Sequence, residues 1–410
     1  MLQAKFKPLP FIVLGAFFCT FLILSVYSSS LNLFLFSGTL AQSDVEVVRY
    51  KNLTIDLGDG ISTKAQLSYP AIGKGPFPGV LLVPGSGPTD MNYTAGENAK
   101  LFWQISQFLS ERGFVVLKYD KRGNGENNTI IDNNLWENMT FNDLKQDAQK
   151  AVNVLIRQPE VNTNKISLIG HSEGGEIVTR LATDNSTTKF DNVVLMAPRI
   201  ENPGDQAYYG FVEFPIEYAK LVLDKNNSGT FSLEKALQDQ LFQSMVGGGN
   251  ISLVLAPNNT DDSITKLLEP ESNPNEDRNV SILTELKPIL DEKFEKKLEG
   301  SKCENPMEGP CPIYLRSLLD LNSTLSIIGN VSPSTGILIL HGQNDSGSRV
   351  HQAFLLQQKL FELNHPDHTL ITYPNLGHHF YPSTQWTTES GPIPEYVLAD
   401  LYSWLEDHSP

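Results

Sequence analysis

Short apolar runs alternate with amphipathic stretches along most of this chain. Gly79–Val83, Phe114–Tyr119, Ile166–Ile169, Val193–Met196, Ile337–Leu340 and Leu370–Tyr373 are each followed within two residues by Gly, Pro or Asp. Runs of that length, closed by turn formers, predict strands buried on both faces. Between them the period changes to that of helices. Leu101–Arg112 places Leu101, Ile105, Phe108 and Leu109 on one face, and Gly113 closes it. Phe141–Arg157 carries Leu144, Ala148, Val152 and Leu155 as a stripe, with Thr140 as its N-cap. Glu173–Ala182, Val350–Leu363 and Tyr396–Leu405 read as further helices. Near the start, Leu53–Asp59 and Ile61–Tyr69 predict a hairpin around Gly58-Asp59-Gly60. Strand–helix alternation of this kind predicts an α/β fold, with a mostly parallel central sheet and helices on both faces.

Two regions break the pattern. Between residues 200 and 332 the periodicity becomes irregular, with Gly247-Gly248-Gly249, Pro-Asn clusters and a mixed charge run, Asp291–Lys297, that reads as a solvated helix face. The alternation resumes at Gly336, so this stretch is an insertion, mainly helical, expected to cap the sheet. At the other break, Pro10–Tyr27 is an 18-residue apolar segment. It is longer than the apolar part of most signal peptides and slightly short for a spanning helix. A buried helix of a soluble domain is the bland reading of this segment; the two leading ones are a membrane anchor and a signal cleaved near Thr39-Leu40-Ala41. In both readings Lys5 and Lys7 stay inside and the rest of the chain lies outside, either held at the cell membrane or secreted. The expected organisation is a leader over 1–43, a core over 44–199 and 333–410, and an insert over 200–332.

Composition sharpens this in three places. The 410 residues carry a net charge of −16, the wrong sign for a protein that grips phosphates, which argues against nucleic-acid binding. Three cysteines are too few for a disulfide scaffold or a cysteine-built metal cluster. Cys19 falls in the apolar segment, leaving Cys303 and Cys311 as a pair that an oxidising compartment would bridge; two free thiols are the alternative. Asn-x-Ser/Thr sequons begin at Asn52, Asn92, Asn127, Asn138, Asn185, Asn226, Asn250, Asn258, Asn279, Asn322, Asn330 and Asn344, well above the roughly four expected by chance, and also favour export.

The candidate chemistry sits at strand ends. Gly170-His171-Ser172-Glu173-Gly174 follows one buried strand and opens a helix, the strand–turn–helix setting that a nucleophile elbow requires. Ser172 is the candidate nucleophile. In this architecture the acid and then the base follow in chain order. Asp345 lies just past the strand Ile337–Leu340 and is the candidate acid. Gly377-His378 follows the last strand and offers His378 as base, with His379 as its rival. The loop Pro84-Gly85-Ser86-Gly87 would supply the Ser86 N–H to an oxyanion hole, together with the Glu173 N–H. There is no H-E-x-x-H and no P-loop, and His365-Pro366-Asp367-His368 is more simply a polar turn. No metal and no cofactor are expected.

Taken together, LLVPGSGPTD (81–90), LKYDKRGNGEN (117–127), ISLIGHSEGG (166–175), VVLMAPR (193–199), ILILHGQND (337–345) and YPNLGHHF (373–380) resemble the α/β-hydrolase superfamily. The likeness is strongest to the carboxylesterase branch that shades into dienelactone-hydrolase-like and serine-aminopeptidase-like members. The resemblance implies Ser172 as nucleophile, Asp345 as acid and His378 as base. It also implies a structural role for the loop Asp120-Lys121-Arg122-Gly123, with Arg122 holding the loops near the oxyanion site. The family often carries a cap where the insert falls. Here Tyr208, Tyr209, Phe211 and Phe214 are candidates for an acyl pocket or for the insert's own core. The family's oxyanion loop often begins with His where this chain has Pro84, which leaves substrate preference open. The expected partner is a small-molecule ester or a short peptide, and oligomeric state is not indicated. Three functions compete: an exported serine esterase, a serine peptidase using the same triad, and a non-catalytic binding protein on a hydrolase fold.

Overall fold

A computed structural model describes residues 47–96, 98–184, 188–248, 278–303, 309–384, 389 and 391–409. The leader, with all of its readings, lies outside the described residues, as do the sequons at Asn185, Asn250 and Asn258. Among the described residues no helix is long and apolar enough to cross a membrane.

The chain begins with the hairpin β1 (Val48–Gly58) and β2 (Ile61–Pro70). It continues through β3 (Phe77–Val83), α1 (Leu101–Ser110), β4 (Val115–Tyr119), α2 (Asn133–Asn138) and α3 (Phe141–Leu155) to β5 (Val161–His171), α4 (Glu173–Thr183) and β6 (Asn192–Met196). The insert contributes α5 (Pro203–Tyr208), α6 (Phe214–Tyr218), β7 (Thr230–Ser232), α7 (Leu233–Gln238), α8 (Gln240–Gly248), β8 (Asn279–Ser281), α9 (Lys287–Glu299) and α10 (Pro312–Leu319). The core then closes with β9 (Gly336–Gly342), α11 (His351–Glu362), β10 (His368–Tyr373) and α12 (Glu395–Asp407).

Eight strands form one sheet in the order β1-β2-β4-β3-β5-β6-β9-β10. From β4 to β10 all neighbours are parallel, and β1 and β2 add an antiparallel edge. The buried runs divide by alternation, as a period of two requires. Leu81, Leu117, Leu168, Val193 and Ile339 face one core, with α3, α4 and α11. Val80, Val116, Ile169, Val194 and Leu340 face the other, with α1 and α12. The α3 stripe read from the sequence is buried, and Thr140 caps that helix reciprocally with Asp143, at 2.8 and 3.2 Å.

The insert divides in two. Residues from Val212 to Phe294 pack into a core of their own, which includes Phe214, with Tyr208, Tyr209 and Phe211 against it. Cys311, Tyr314, Leu318, Ile328 and Val331 instead join the core under the sheet. Cys303 and Cys311 are disulfide-bonded where these parts meet. β7 and β8 pair antiparallel with Phe231 opposite Val280. The turn before β7, Asp224-x-Asn226-x-Ser228-Gly229, has the oxygen-donor spacing of a helix–loop–helix calcium loop. Lys235 occupies its twelfth position, where such a loop needs a bidentate carboxylate. The turn closes on itself instead, the Asp224 carboxylate accepting the N–H groups of Ser228 and Gly229 at 2.8 and 2.6 Å.

Candidate active site

Ser172 sits between β5 and α4 with φ 54° and ψ −119°, a strained conformation for a residue with a side chain. Its N–H donates to the Met196 carbonyl at 2.9 Å, which ties the turn to β6. Two glycines make the turn possible. A Cβ on Gly170 would lie 2.2 Å from the Gly174 carbonyl oxygen, and one on Gly174 would lie 2.1 Å from that of Val83. Neither position accepts any other residue without moving backbone.

Asp345 and His378 meet at the ends of β9 and β10. His378 Nδ1 lies 2.8 Å from Asp345 Oδ2, so Nδ1 carries the proton and Nε2 remains the basic nitrogen. The other oxygen of Asp345 accepts the N–H groups of Gly347 and Ser348 at 2.8 and 2.7 Å. His341 Nε2 adds a fourth contact at 3.1 Å. Burial alone would raise the Asp345 pKa, but His378 and His341 outweigh it and hold the carboxyl well below its ordinary value. His379, the rival base, pairs with Glu389 at 3.1 Å instead. Among the described residues no hydrogen bond joins Ser172 Oγ to an imidazole, a looseness common in catalytic sites without substrate.

His171, completely buried beside Ser172, was not singled out from the sequence. Its Nε2 donates to the His378 carbonyl at 2.8 Å, and its Nδ1 accepts from the Tyr93 hydroxyl at 2.9 Å. Burial, and then the neighbouring His378 and His379, push its pKa well below the ordinary histidine value. It is a neutral strut between the nucleophile and base loops. Its only sequence signal is its place immediately before the nucleophile.

On the opposite side lies the oxyanion loop. A Cβ on Gly85 would fall 3.0 Å from Ser172 Cβ, so the loop packs directly on Ser172. Ser86 and Glu173 both border a cavity of about 120 Å³ that runs under the insert, with Trp136, Phe211, Tyr314 and Leu318 among its walls. Glu173 is fully buried. Its carboxylate meets Lys121 at 3.4 Å and Arg199 at 3.5 Å, and Tyr314 donates its hydroxyl to it. Arg199 also pairs with Glu176 at 2.9 Å. Burial lowers the Lys121 pKa, and Glu173 opposes that shift. The role expected of Arg122 falls to Lys121, which donates to the Gly85 carbonyl. Arg122 turns away and binds Asp147 on α3 with two hydrogen bonds of 2.6 and 2.7 Å, because α3 presents the nearer carboxylate.

The family described as Serine aminopeptidase, S33, matches residues 95–225. That range contains the Ser172 elbow but neither Asp345 nor His378. Esterase EstD of Thermotoga maritima is 37% identical over 156 residues, which is 38% of this chain and 34% of that protein. Over these parts the chain is similar to α/β-hydrolases. Solved structures similar to this chain include Est1E from Butyrivibrio proteoclasticus, 14% identical over 87% of this chain and 98% of that one, with a TM-score of 0.45. Proline iminopeptidase from Mycobacterium smegmatis is 12% identical over 88% and 99%, with a TM-score of 0.49. The chain spans about a third of the length of the curated esterase that it matches.

Proposed function

We propose that the protein is a serine hydrolase that cleaves carboxylic esters through an acyl-enzyme. The observation that carries this reading is the Asp345–His378 pair, brought to the same end of the sheet as the Ser172 elbow. Ser172 Oγ attacks the acyl carbonyl and His378 Nε2 takes its proton. Asp345 holds the imidazole in the required tautomer and stabilises the imidazolium. The N–H groups of Ser86 and Glu173 receive the oxyanion. His378 then returns the proton to the leaving alcohol, and water releases the acid by the same path.

Ester substrates are favoured over peptides with a free amino terminus by the cavity wall. An aminopeptidase needs a carboxylate available to the substrate ammonium. Glu173 is the one carboxylate among the described residues lining this cavity, and Lys121, Arg199 and Tyr314 already occupy it. Export, with the catalytic domain held at the membrane or released, is part of the proposal. It is supported by the bridged Cys303–Cys311 pair and by the exposure of Asn52, Asn138, Asn226, Asn279, Asn322 and Asn330 at sequon positions.

The test is Ser172→Ala, assayed against 4-nitrophenyl butyrate and a set of aminoacyl 4-nitroanilides. Ester turnover should fall by about 10⁴-fold or more, and a fluorophosphonate probe should label only the wild type. Residual turnover near the wild-type rate would refute the serine mechanism. Preference for the anilides would restore the peptidase reading.

A further inference from the structure

Lys121 takes no part in the acyl transfer as described, yet it is buried against the oxyanion loop. Its ammonium donates to the Gly85 carbonyl and to Glu173 Oε1. The Gly85 carbonyl and the Ser86 N–H belong to one peptide plane, and in a trans peptide they point in opposite directions. Fixing the carbonyl therefore fixes the direction of the N–H. A charged donor does so more firmly than a neutral one. The loop also packs closely against Tyr93, since a Cβ on Gly85 would lie 2.6 Å from its hydroxyl. That hydroxyl is the one that reaches His171.

Lys121 shares the neutralisation of Glu173 with Arg199, which also serves Glu176, and its contact with the Gly85 carbonyl lies outside that role. The lysine adds a link between two chain segments, the loop after β3 and the residue after the nucleophile. These are the segments whose N–H groups must converge on a single oxygen.

We propose that Lys121 is a positioning residue that aims the Ser86 N–H at the developing oxyanion, and that Glu173, held by Tyr314 of α10, keeps Lys121 on the Gly85 carbonyl. This rests on the acyl-transfer reading above. It gives the side chain of Glu173 a function separate from that of its backbone N–H. It also makes the seating of α10 against the sheet a determinant of oxyanion-hole geometry.

The experiment compares the full-length wild type with Lys121→Met and with the double variant Lys121→Met/Glu173→Gln. Removing one oxyanion donor outright costs about 10²–10³ in kcat. A misaimed donor should cost about 10–100-fold, with KM within about threefold. Affinity for an alkylboronic acid, which forms a tetrahedral adduct on Ser172, should fall by the same factor as kcat. Affinity for the product carboxylate should stay unchanged. The double variant removes both buried charges, so its thermal midpoint should recover while kcat stays low. Recovery of kcat together with stability would overturn the proposal, because Lys121 would then be only a counter-ion. Equal loss of boronate and product affinity would overturn it as well. Failure of the serine mechanism itself would appear elsewhere, as retained turnover in Ser172→Ala.

Discussion

Two completely buried carboxylates of the candidate site are stabilised in different ways. Asp345 is served locally. Its partners include two main-chain N–H groups two and three residues ahead, and His341 four residues behind. Glu173 is served only by side chains 52, 26 and 141 residues away, from the loop after β4, the loop after β6 and α10. The strand-end loop builds the first environment almost alone. The second exists only once three separate segments have docked. The acid side should therefore be robust and purely catalytic when altered, whereas the oxyanion side should couple activity to the packing of the insert.

The largest effect that would test this contrast is on the acid side. Asp345→Asn keeps the shape but offers His378 Nδ1 an amide, which stabilises the wrong tautomer. Turnover of 4-nitrophenyl butyrate should drop by about 10³–10⁴-fold with little change in KM, and the near-ultraviolet circular dichroism should be retained. Unfolding of that variant would show that the local shell does not stand on its own.

Tyr314→Phe probes the other side with a smaller change. It leaves one oxygen of Glu173 a donor short, at a cost of about 1–3 kcal/mol. Denaturant unfolding should show that loss together with a severalfold decrease in kcat. Unchanged kcat at reduced stability would mean that the insert supports the fold without reaching the oxyanion hole.

A third buried carboxylate sharpens the comparison by being poorly served. Asp120 Oδ1 accepts the Met91 N–H at 2.7 Å, but Oδ2 has no partner. Burial pushes the Asp120 carboxyl up to about 6. The folded state therefore holds this proton more tightly than the unfolded chain does. Ionisation costs stability as pH rises from about 4 to about 6. Asp120→Asn should be more stable than wild type at pH 8, by about 1–2 kcal/mol after solvent screening. The advantage should vanish near pH 4. Thermal midpoints measured across that range check the sign.

Most of the site's skeleton is legible in the sequence because its parts obey local rules. The elbow needs Gly170 and Gly174, the acid needs the end of β9, and the base needs the turn after β10. Each leaves a signature within a few residues. The period-two burial of β3 to β9 and the stripe on α3 were readable for the same reason. Less was legible wherever a contact spans the chain. Arg122 and Lys121 are adjacent and both cationic, and nothing local tells which of them turns toward Gly85. His171 reads as the variable residue of a motif until its ring is found between Tyr93 and the His378 carbonyl. The insert reads as one irregular block, although its end from Cys311 to Val331 packs under the sheet.

The sequence by itself determined the order of strands and helices, the strained serine turn and the three residues that follow one another as nucleophile, acid and base candidates. Each of those is decided by backbone geometry and burial over a few residues. Only the tertiary structure decided which buried charges neutralise one another, which histidine meets Asp345 and which of Lys121 and Arg122 reaches the Gly85 carbonyl. Those choices depend on which side chains a folded interior brings within about 3–4 Å, where a hydrogen bond or ion pair offsets the cost of burying a charge.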